Sequence, residues 1–501
     1  MKTRSNVSSS AVFILFTTLG AALARYAYDV FLAWKLPGSE HGVASLGLFV
    51  AGALHQIVSV GVPQSVAKLL SESRESDETS RLVGSAVLMN TIFSLLAGVL
   101  AYLLLVPILG LGGKHQTVIA IVCVSTVAVA VGSLYRSALQ GRFNFFAYGV
   151  IDSFHGGGQL AVGIVLVMVG YGVLGAAAGV LAGALLLMVS GAFFAMRSGI
   201  LGSFRGNAPT PLLGLSLAML IGTLAVTWIT TVDALGVKLL TRAGDTDLLA
   251  GQYRAISVLA RTPLILGMSL AAVLFPYISR FQRAGQPNEH AKYLFKYVLL
   301  FTVPSAVMLG VLPHPIASLV FPPHLTNEPL ALVILAGGIS FLTMGAVIAT
   351  MLQAADRAQL VARIFVLCVL LHTGLLLALT PTGGVMGAAT ATAIASTVSL
   401  VLLAVSGHRL FPGLLNAVNV RFAIAAAAFA LVLRVIPHGN PIMLLVDIAA
   451  GSAMYLLLLL VTRVVDSTDV DILSNVVPAE PARQKLRNML YAALETVPKL
   501  P

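Results

Sequence analysis

Apolar residues in this chain fall in long unbroken blocks rather than in alternation, with short polar breaks between them. Fourteen blocks are readable, at about 10–35, 43–70, 81–107, 116–140, 146–169, 172–197, 211–240, 251–276, 291–312, 329–354, 358–379, 384–406, 419–437 and 441–463. Most reach the roughly 20 residues that a helix needs to cross a hydrocarbon core about 30 Å thick. In lipid a backbone must satisfy its own hydrogen bonds, so such blocks form helices. The pattern predicts an all-α polytopic membrane protein with about 14 transmembrane helices. An even number of crossings puts both termini on one side.

The blocks repeat. The run GYGVLGAAAG (Gly170–Gly179) returns as GGVMGAATAT (Gly383–Thr392), with Gly172 matching Gly384 at an offset of 212 positions. Leu139-Gln140 before the fifth block matches Leu352-Gln353 before the eleventh, at an offset of 213. GLFVAGAL (Gly47–Leu54) and GQYRAISVL (Gly251–Leu259) lie 204 apart. One offset of this size spans six helices, so helices 1–6 and 7–12 read as two copies of one lobe. Because six is even, the copies share an orientation, and their axis lies along the membrane normal. The expected division is an N-terminal six-helix lobe at 1–205, a C-terminal lobe at 206–410, two additional helices at 411–465 and a cytoplasmic tail at 466–501. Within that tail, ARQKLRNMLYAALETV either lies on the inner membrane surface as an amphipathic helix or is a loosely ordered tail.

Composition agrees with a membrane solvent. The chain is 58% hydrophobic and only 10% charged, where a soluble domain carries about 25% charged residues. The charge sorts by side. With the N-terminus inside, 22 Lys and Arg fall in inside segments, five fall outside and three lie within helices. Cytoplasmic segments collect such residues, so both termini are expected in the cytoplasm. The net charge of +11 then meets lipid headgroups rather than nucleic acid. No cleaved leader is expected, and the first block is read as the first membrane helix. Cys123 and Cys368 lie inside apolar blocks and suggest neither a disulfide nor a metal site. No phosphate loop, H-E-x-x-H motif or soluble catalytic segment occurs. A membrane glycosyltransferase or polymerase would need a sizeable outside loop with carboxylates, so the chain is read as a transporter, not an enzyme, without cofactor.

Ionisable groups inside the blocks are the candidate functional residues, because hydrocarbon penalises them. Arg25 and Asp29 are four residues apart on one face of helix 1. They form either a self-satisfied pair or a cavity-facing arginine steadied by an aspartate. Arg254 and Arg261 share a face of helix 8 with no acid within four residues, which points to an anionic ligand or to acids from another helix. Arg254 snorkels to the outer surface in an alternative reading. Pro263 is expected to weaken or kink that helix, as is Pro63 in helix 2. Asp233 of helix 7 stands at the repeat position of Arg25, and the two are expected to approach each other across a cavity in one state. Asp152 and His155 of helix 5 are spaced for a hydrogen bond, either as a structural pair or as a proton-linked switch. His55 and His372 are read as core residues, and Arg136, Arg142, Arg357 and Arg363 as cytoplasmic loop cations.

Three stretches carry a family resemblance: GVASLGLFVAGALHQIVSVGVPQSVAKLLSE (Gly42–Glu72), LYRSALQGRFNFFAYGVIDSFHGGGQLAVGIVLVMVGYGVLGAAAG (Leu134–Gly179) and LAGQYRAISVLARTPLILGMSLAAVLFPYISR (Leu249–Arg280). Together with the two six-helix lobes they resemble the multidrug/oligosaccharidyl-lipid/polysaccharide (MOP) exporter superfamily, in its polysaccharide-biosynthesis flippase branch, over about residues 8–465. The resemblance implies a flippase for a polyprenyl-pyrophosphate-linked glycan, whose sugar head crosses a cationic cavity while the lipid tail stays in the bilayer. Similar peptidoglycan-precursor flippases keep arginines on helices 1, 2 and 8. Arg25 fits the first and Arg254 or Arg261 the last, while helix 2 carries His55 and Gln56 instead, which favours a different lipid-linked oligosaccharide. In the drug-exporting branch a helix 1 aspartate couples cations, a part open to Asp29. The expected substrate-binding residues are therefore Arg25, Arg254 and Arg261. Those expected for ion coupling or gating are Asp29, Asp233, Asp152 and His155. The expected partners are a lipid-linked glycan, membrane lipids and glycan-assembly enzymes, around a monomer in the cytoplasmic membrane. The alternative is a cation-coupled multidrug antiporter of the same superfamily.

Overall fold

The computed structural model describes residues 2–36, 38–72, 76–108, 112–200, 210–242, 246–283, 289–408, 410–411, 417–435, 441–462 and 464, with positions 484, 487 and 488 of the tail. Apart from those three positions, the amphipathic tail segment lies outside the described residues. Every extended regular element described is helical: α1 (Lys2–Lys35), α2 (Gly38–Glu72), α3 (Ser76–Ile108), α4 (Lys114–Gly141), α5 (Phe145–Leu166), α6 (Gly172–Arg197), α7 (Thr210–Leu240), α8 (Thr246–Ala260), α9 (Thr262–Arg283), α10 (Glu289–Val311), α11 (Pro313–Val320), α12 (Pro329–Ala354), α13 (Ala358–His408), α14 (Ala417–Val435) and α15 (Pro441–Val461).

The helices follow the apolar blocks, with three differences. The eighth block is broken at Arg261 into α8 and α9, just before Pro263, whose ring cannot continue the helical ladder. Pro63, by contrast, lies inside an uninterrupted α2. The short α11 was not expected, and it bends 93° from α10.

Two stretches, Phe145–Arg197 and Ala358–His408, run 53 and 51 residues without a loop. Drawn straight, each would be about 75–80 Å long, more than twice the hydrocarbon thickness. Both instead fold back on themselves. Gly163 lies against Gly179 and Gln159 against Gly183 in the first, while His372 faces Thr392 in the second. One residue of the turn has the same conformation in both: Gly172 and Gly384 take φ 50° and ψ −129°, a region closed to residues with a Cβ, while the first turn adds Gly170 at φ 103°. Three residues on, Gly175 and Gly387 press on the backbone of the opposite arm at Leu166 and Leu379, where a Cβ has no room. These two constraints account for the duplicated Gly-Val-X-Gly-Ala-Ala run.

The duplicated Leu-Gln pair has an equally local cause. It ends α4 and α12, where the N–H of Asn144 donates to Leu139 O and that of Arg357 to Leu352 O, both at 2.9 Å. The residues just before those donors are left-handed, Phe143 at φ 61° and Asp356 at φ 62°. The pattern is a Schellman-type helix end.

The packing repeats as the sequence does. α4 lies on α2, α3 and α6 as α12 lies on α9, α10 and α13, and α1 lies on α5 as α7 lies on α13. Close approach is bought by glycines at seven-residue spacing: Gly149, Gly156 and Gly163 of α5 receive Thr17, Ala21 and Tyr28 of α1, the small-residue packing expected in lipid. In the second lobe the large and small partners are exchanged, with Leu376 of α13 seated over Gly236 of α7. The buried apolar clusters of the first lobe lie within residues 28–200 and those of the second within 219–464. The fully buried clusters share no residue between lobes, though Tyr26, Val30 and Ala33 of α1 pack against one in the second lobe. α14 and α15 pack on each other and on α10, adding Phe422, Phe429 and Tyr455 to the second lobe's core.

Gly384→Ala is expected to lower unfolding stability by about 1–3 kcal/mol through backbone strain alone, because only Thr241 comes within 4 Å of the added carbon. Gly383→Ala, next in the chain and facing open space, leaves the midpoint within about 0.5 kcal/mol. Thermal unfolding of the purified variants followed by tryptophan fluorescence reads the difference.

Candidate functional site: charges within and between the lobes

The lobes meet through α2 against α7 and α1 against α9, contacts that exchange under the pseudo-twofold. One face of the protein carries the α2–α3, α4–α5 and α12–α13 connections and is rich in Lys and Arg. Near this basic face Leu220 covers Gly61 and Ser65 Oγ donates to Met219 Sδ at 3.4 Å. Beside them Lys68 is 2% exposed, and its Nζ donates to Gln353 O at 3.2 Å and to Asp356 Oδ1 at 2.5 Å. Lys68 is thus a buried ammonium of one lobe that clasps the α12–α13 turn of the other.

At the opposite face Trp34 Nε1 donates to Val320 O at 3.0 Å, and the rings of Tyr26 and Phe321 lie 6.5 Å apart. Arg254 Nη2 reaches Asp29 at 3.3 and 3.5 Å, above a small pocket lined by Ser45, Leu48, Phe321 and Leu325. The expected Arg25–Asp29 pair is not made. Asp29 turns to Arg254 of the other lobe, and Arg254 does not snorkel free. The lobes thus touch at both faces.

Within the first lobe, Asp152 does not bond His155. It accepts Arg136 Nη1 at 2.6 Å, and that guanidinium also lies over the Tyr148 ring, 5.0 Å from its centroid. Arg136, expected in a loop, is inside α4. His155 faces His55 instead, with ring centroids 6.4 Å apart, and His55 Nε2 is 2.8 Å from Ser125 Oγ. Arg25 is within electrostatic reach of both imidazoles, and has no hydrogen bond or ion pair among the described residues.

The second lobe holds the opposite charge at the matching place. Asp233 is 1% exposed and accepts hydrogen bonds from Tyr253 Oη and Thr392 Oγ1, both at 2.5 Å. His372 Nε2 is 2.9 Å from its other oxygen, at ion-pair distance without hydrogen-bond alignment. The expected Arg25–Asp233 approach is not made; Asp233 is engaged within its own lobe, with both hydrogen bonds on one oxygen. Arg261, at the α8–α9 break, donates to Thr230 O on α7, and its buried Nε has no partner. Arg254 and Arg261 therefore address different helices despite their shared spacing. No group of three or more metal-ligating side chains occurs among the described residues.

The sequence profile described as polysaccharide biosynthesis protein matches residues 7–282, more than half of the chain. The protein belongs to that family. No curated protein sequence matches it. Among solved structures, a crystal structure of a mutant of the Vibrio cholerae MATE transporter VcmN is similar, with TM-score 0.64 and 14% identity over 82% of this chain and 98% of that one. The lipid II flippase MurJ in an inward closed conformation is similar at TM-score 0.62 and 17% identity, over 89% of this chain and 98% of that one. An outward-facing MATE family transporter of the MOP superfamily gives TM-score 0.63 at 13% identity, over 82% and 97%. This member of the polysaccharide biosynthesis family thus shares its fold with the MATE transporters and with the flippase MurJ.

Spacing within one helix missed Lys68, Asp356, His372, Tyr253 and Thr392, whose partners lie 20 to 288 positions away. The one sequence signal for any of them was the repeated Leu-Gln turn that carries Asp356. In a variant lacking native cysteines, Lys68→Met is expected to raise maleimide labelling of a cysteine placed at Ser71 about tenfold, by weakening closure about 1.4 kcal/mol. Asp29→Ala is expected to do the same for a cysteine at Ser45. The exchanged pair Asp29→Arg with Arg254→Asp returns that rate to near its starting value.

Proposed function

We propose that this protein is a flippase that moves a lipid-linked oligosaccharide, carried on a polyprenyl pyrophosphate, across the cytoplasmic membrane by alternating access. The observation that carries this reading is the charge balance inside the spans. Asp29, Asp152 and Asp233 are each engaged by Arg254, Arg136 and the Tyr253–Thr392–His372 group. Arg25 and Arg261 have no acidic partner among the described residues. Surplus guanidinium in a low-dielectric interior attracts a phosphate and repels an organic cation.

In this reading the basic face is cytoplasmic, with both termini on that side. Lys68–Asp356 closes the cytoplasmic gate and Asp29–Arg254 the outer one. Rocking of the two lobes opens them in turn. Arg25, Arg254 and Arg261 line the anion path, with Arg254 available once Asp29 lets go. Asp233, with His372 beside it, couples movement to an ion, and Asp152 fixes Arg136 next to His155. The protein works as a monomer beside glycan-assembly enzymes. Likeness to MurJ supports the flippase, and likeness to MATE transporters keeps a cation-coupled drug antiporter as the competing reading.

Proteoliposomes loaded with a fluorescent polyprenyl-pyrophosphate sugar distinguish the two. Wild-type protein is expected to move the lipid, and Arg25→Ala to slow it about tenfold or more, the loss of roughly one charge-assisted contact. Absence of lipid movement, with proton-driven efflux of a cationic dye that requires Asp29, would establish the antiporter instead.

A further inference from the structure

We propose that His55 and His155 make the Arg25 site a proton-linked anion site, in which a phosphate group and protons on the two imidazoles bind together. The proposal rests on the flippase reading and names where and how its pyrophosphate is held. Three elements of the first lobe supply the site: α2 brings His55, α5 brings His155, and α1 brings Arg25, one turn on from Ala21, which packs against Gly156 next to His155. The imidazoles stand 6.4 Å apart at 49°. His55 is anchored by Ser125 of α4, while no protein partner holds the His155 ring or the Arg25 guanidinium among the described residues. All three residues are half-buried, so accessible space borders them.

The surrounding charges are already spent. On α1, Asp29 is held by Arg254. On α4 and α5, Arg136 and Asp152 neutralise each other beside the neutral Tyr148. On α2, Lys68 is held by Asp356, and α6 carries its one charged residue, Arg197, at its far end. Among the described residues the site therefore has a formal charge of +1 with neutral imidazoles and +3 with both protonated. Histidine is the side chain whose ordinary charge change falls between pH 5 and 8. Three like charges this close repel when the site is empty, and a phosphate removes the repulsion. By linkage the anion then raises proton affinity and protons raise anion affinity by the same factor, up to tenfold per pH unit for each proton taken up.

Proton uptake also gives the helix 2 histidine a purpose. The loaded site carries its phosphate with the charge offset by +3, and the empty site resets by releasing protons. Cargo and protons then travel together, so an acidic receiving compartment slows release, and net movement is drawn by consumption of the product.

Two measurements test this on the full chain in nanodiscs with farnesyl diphosphate as probe. Calorimetric affinity at pH 6 and pH 8 is compared between wild type and His55→Gln/His155→Gln, with Arg25 intact in both. The wild type is expected to lose at least tenfold more affinity over that range than the double variant, whose residual change reports the ligand's own titration. Nitrogen-15 imidazole spectra of the wild type, which need no substitution, should show two histidines becoming protonated when the probe is added at pH 7. Equal pH profiles, or spectra unmoved by the probe, would overturn the linkage. If the lipid-linked sugar still moves in proteoliposomes in that case, the flippase reading stands without it; if nothing moves, that reading fails separately.

Discussion

An ion inside hydrocarbon persists only where an opposite charge or a dipole faces it, and the search for such partners organises this protein. Most of its intramembrane charges find them, and where they find them defines the conformation. Arg136–Asp152 and Asp233–His372 lie within single lobes. Asp29–Arg254 and Lys68–Asp356 join the lobes at opposite ends. The first kind builds the lobes and the second kind ties them together.

The latches differ in burial. Lys68 is almost wholly enclosed while Asp356 is 78% exposed, so opening that face returns a desolvated ammonium to water and removes one side of a strong pair. Asp29 and Arg254 are both partly exposed, and screening there weakens the attraction. Hydrophobic contact joins the lobes as well, since Tyr26, Val30 and Ala33 of α1 pack against a buried cluster of the second lobe.

The pseudo-symmetry is close in backbone and broken in charge. The turns at Gly172 and Gly384 agree in both dihedrals, and those at Phe143 and Asp356 agree to within a degree in φ. Yet Arg25 of one lobe stands where Asp233 of the other does, and Tyr28 over Gly163 is answered by Leu376 over Gly236. The scaffold conserves helix ends and close approaches, which are backbone matters. The inward side chains diverge: Arg25 has no ion pair among the described residues, while Asp233 is engaged by Tyr253, Thr392 and His372.

The sequence by itself determined the apolar spans and the twofold repeat, because hydrophobic length and glycine turns act through local physics that a linear pattern displays. It also marked Arg25, Asp29, Arg254, Arg261, Asp152, His155 and Asp233 as costly in lipid. Tertiary structure alone decided their partners. Arg25–Asp29 and Asp152–His155 were the pairs that helical spacing allowed, but each acid turned to a base on another helix, Arg254 or Arg136. A residue three or four positions away competes with every group on the packed neighbouring helices, and in a bundle those neighbours come from segments a hundred or more positions distant. The same reason hid His55 beside His155 and His372 beside Asp233, histidines that looked solitary along the chain and are not so in the fold.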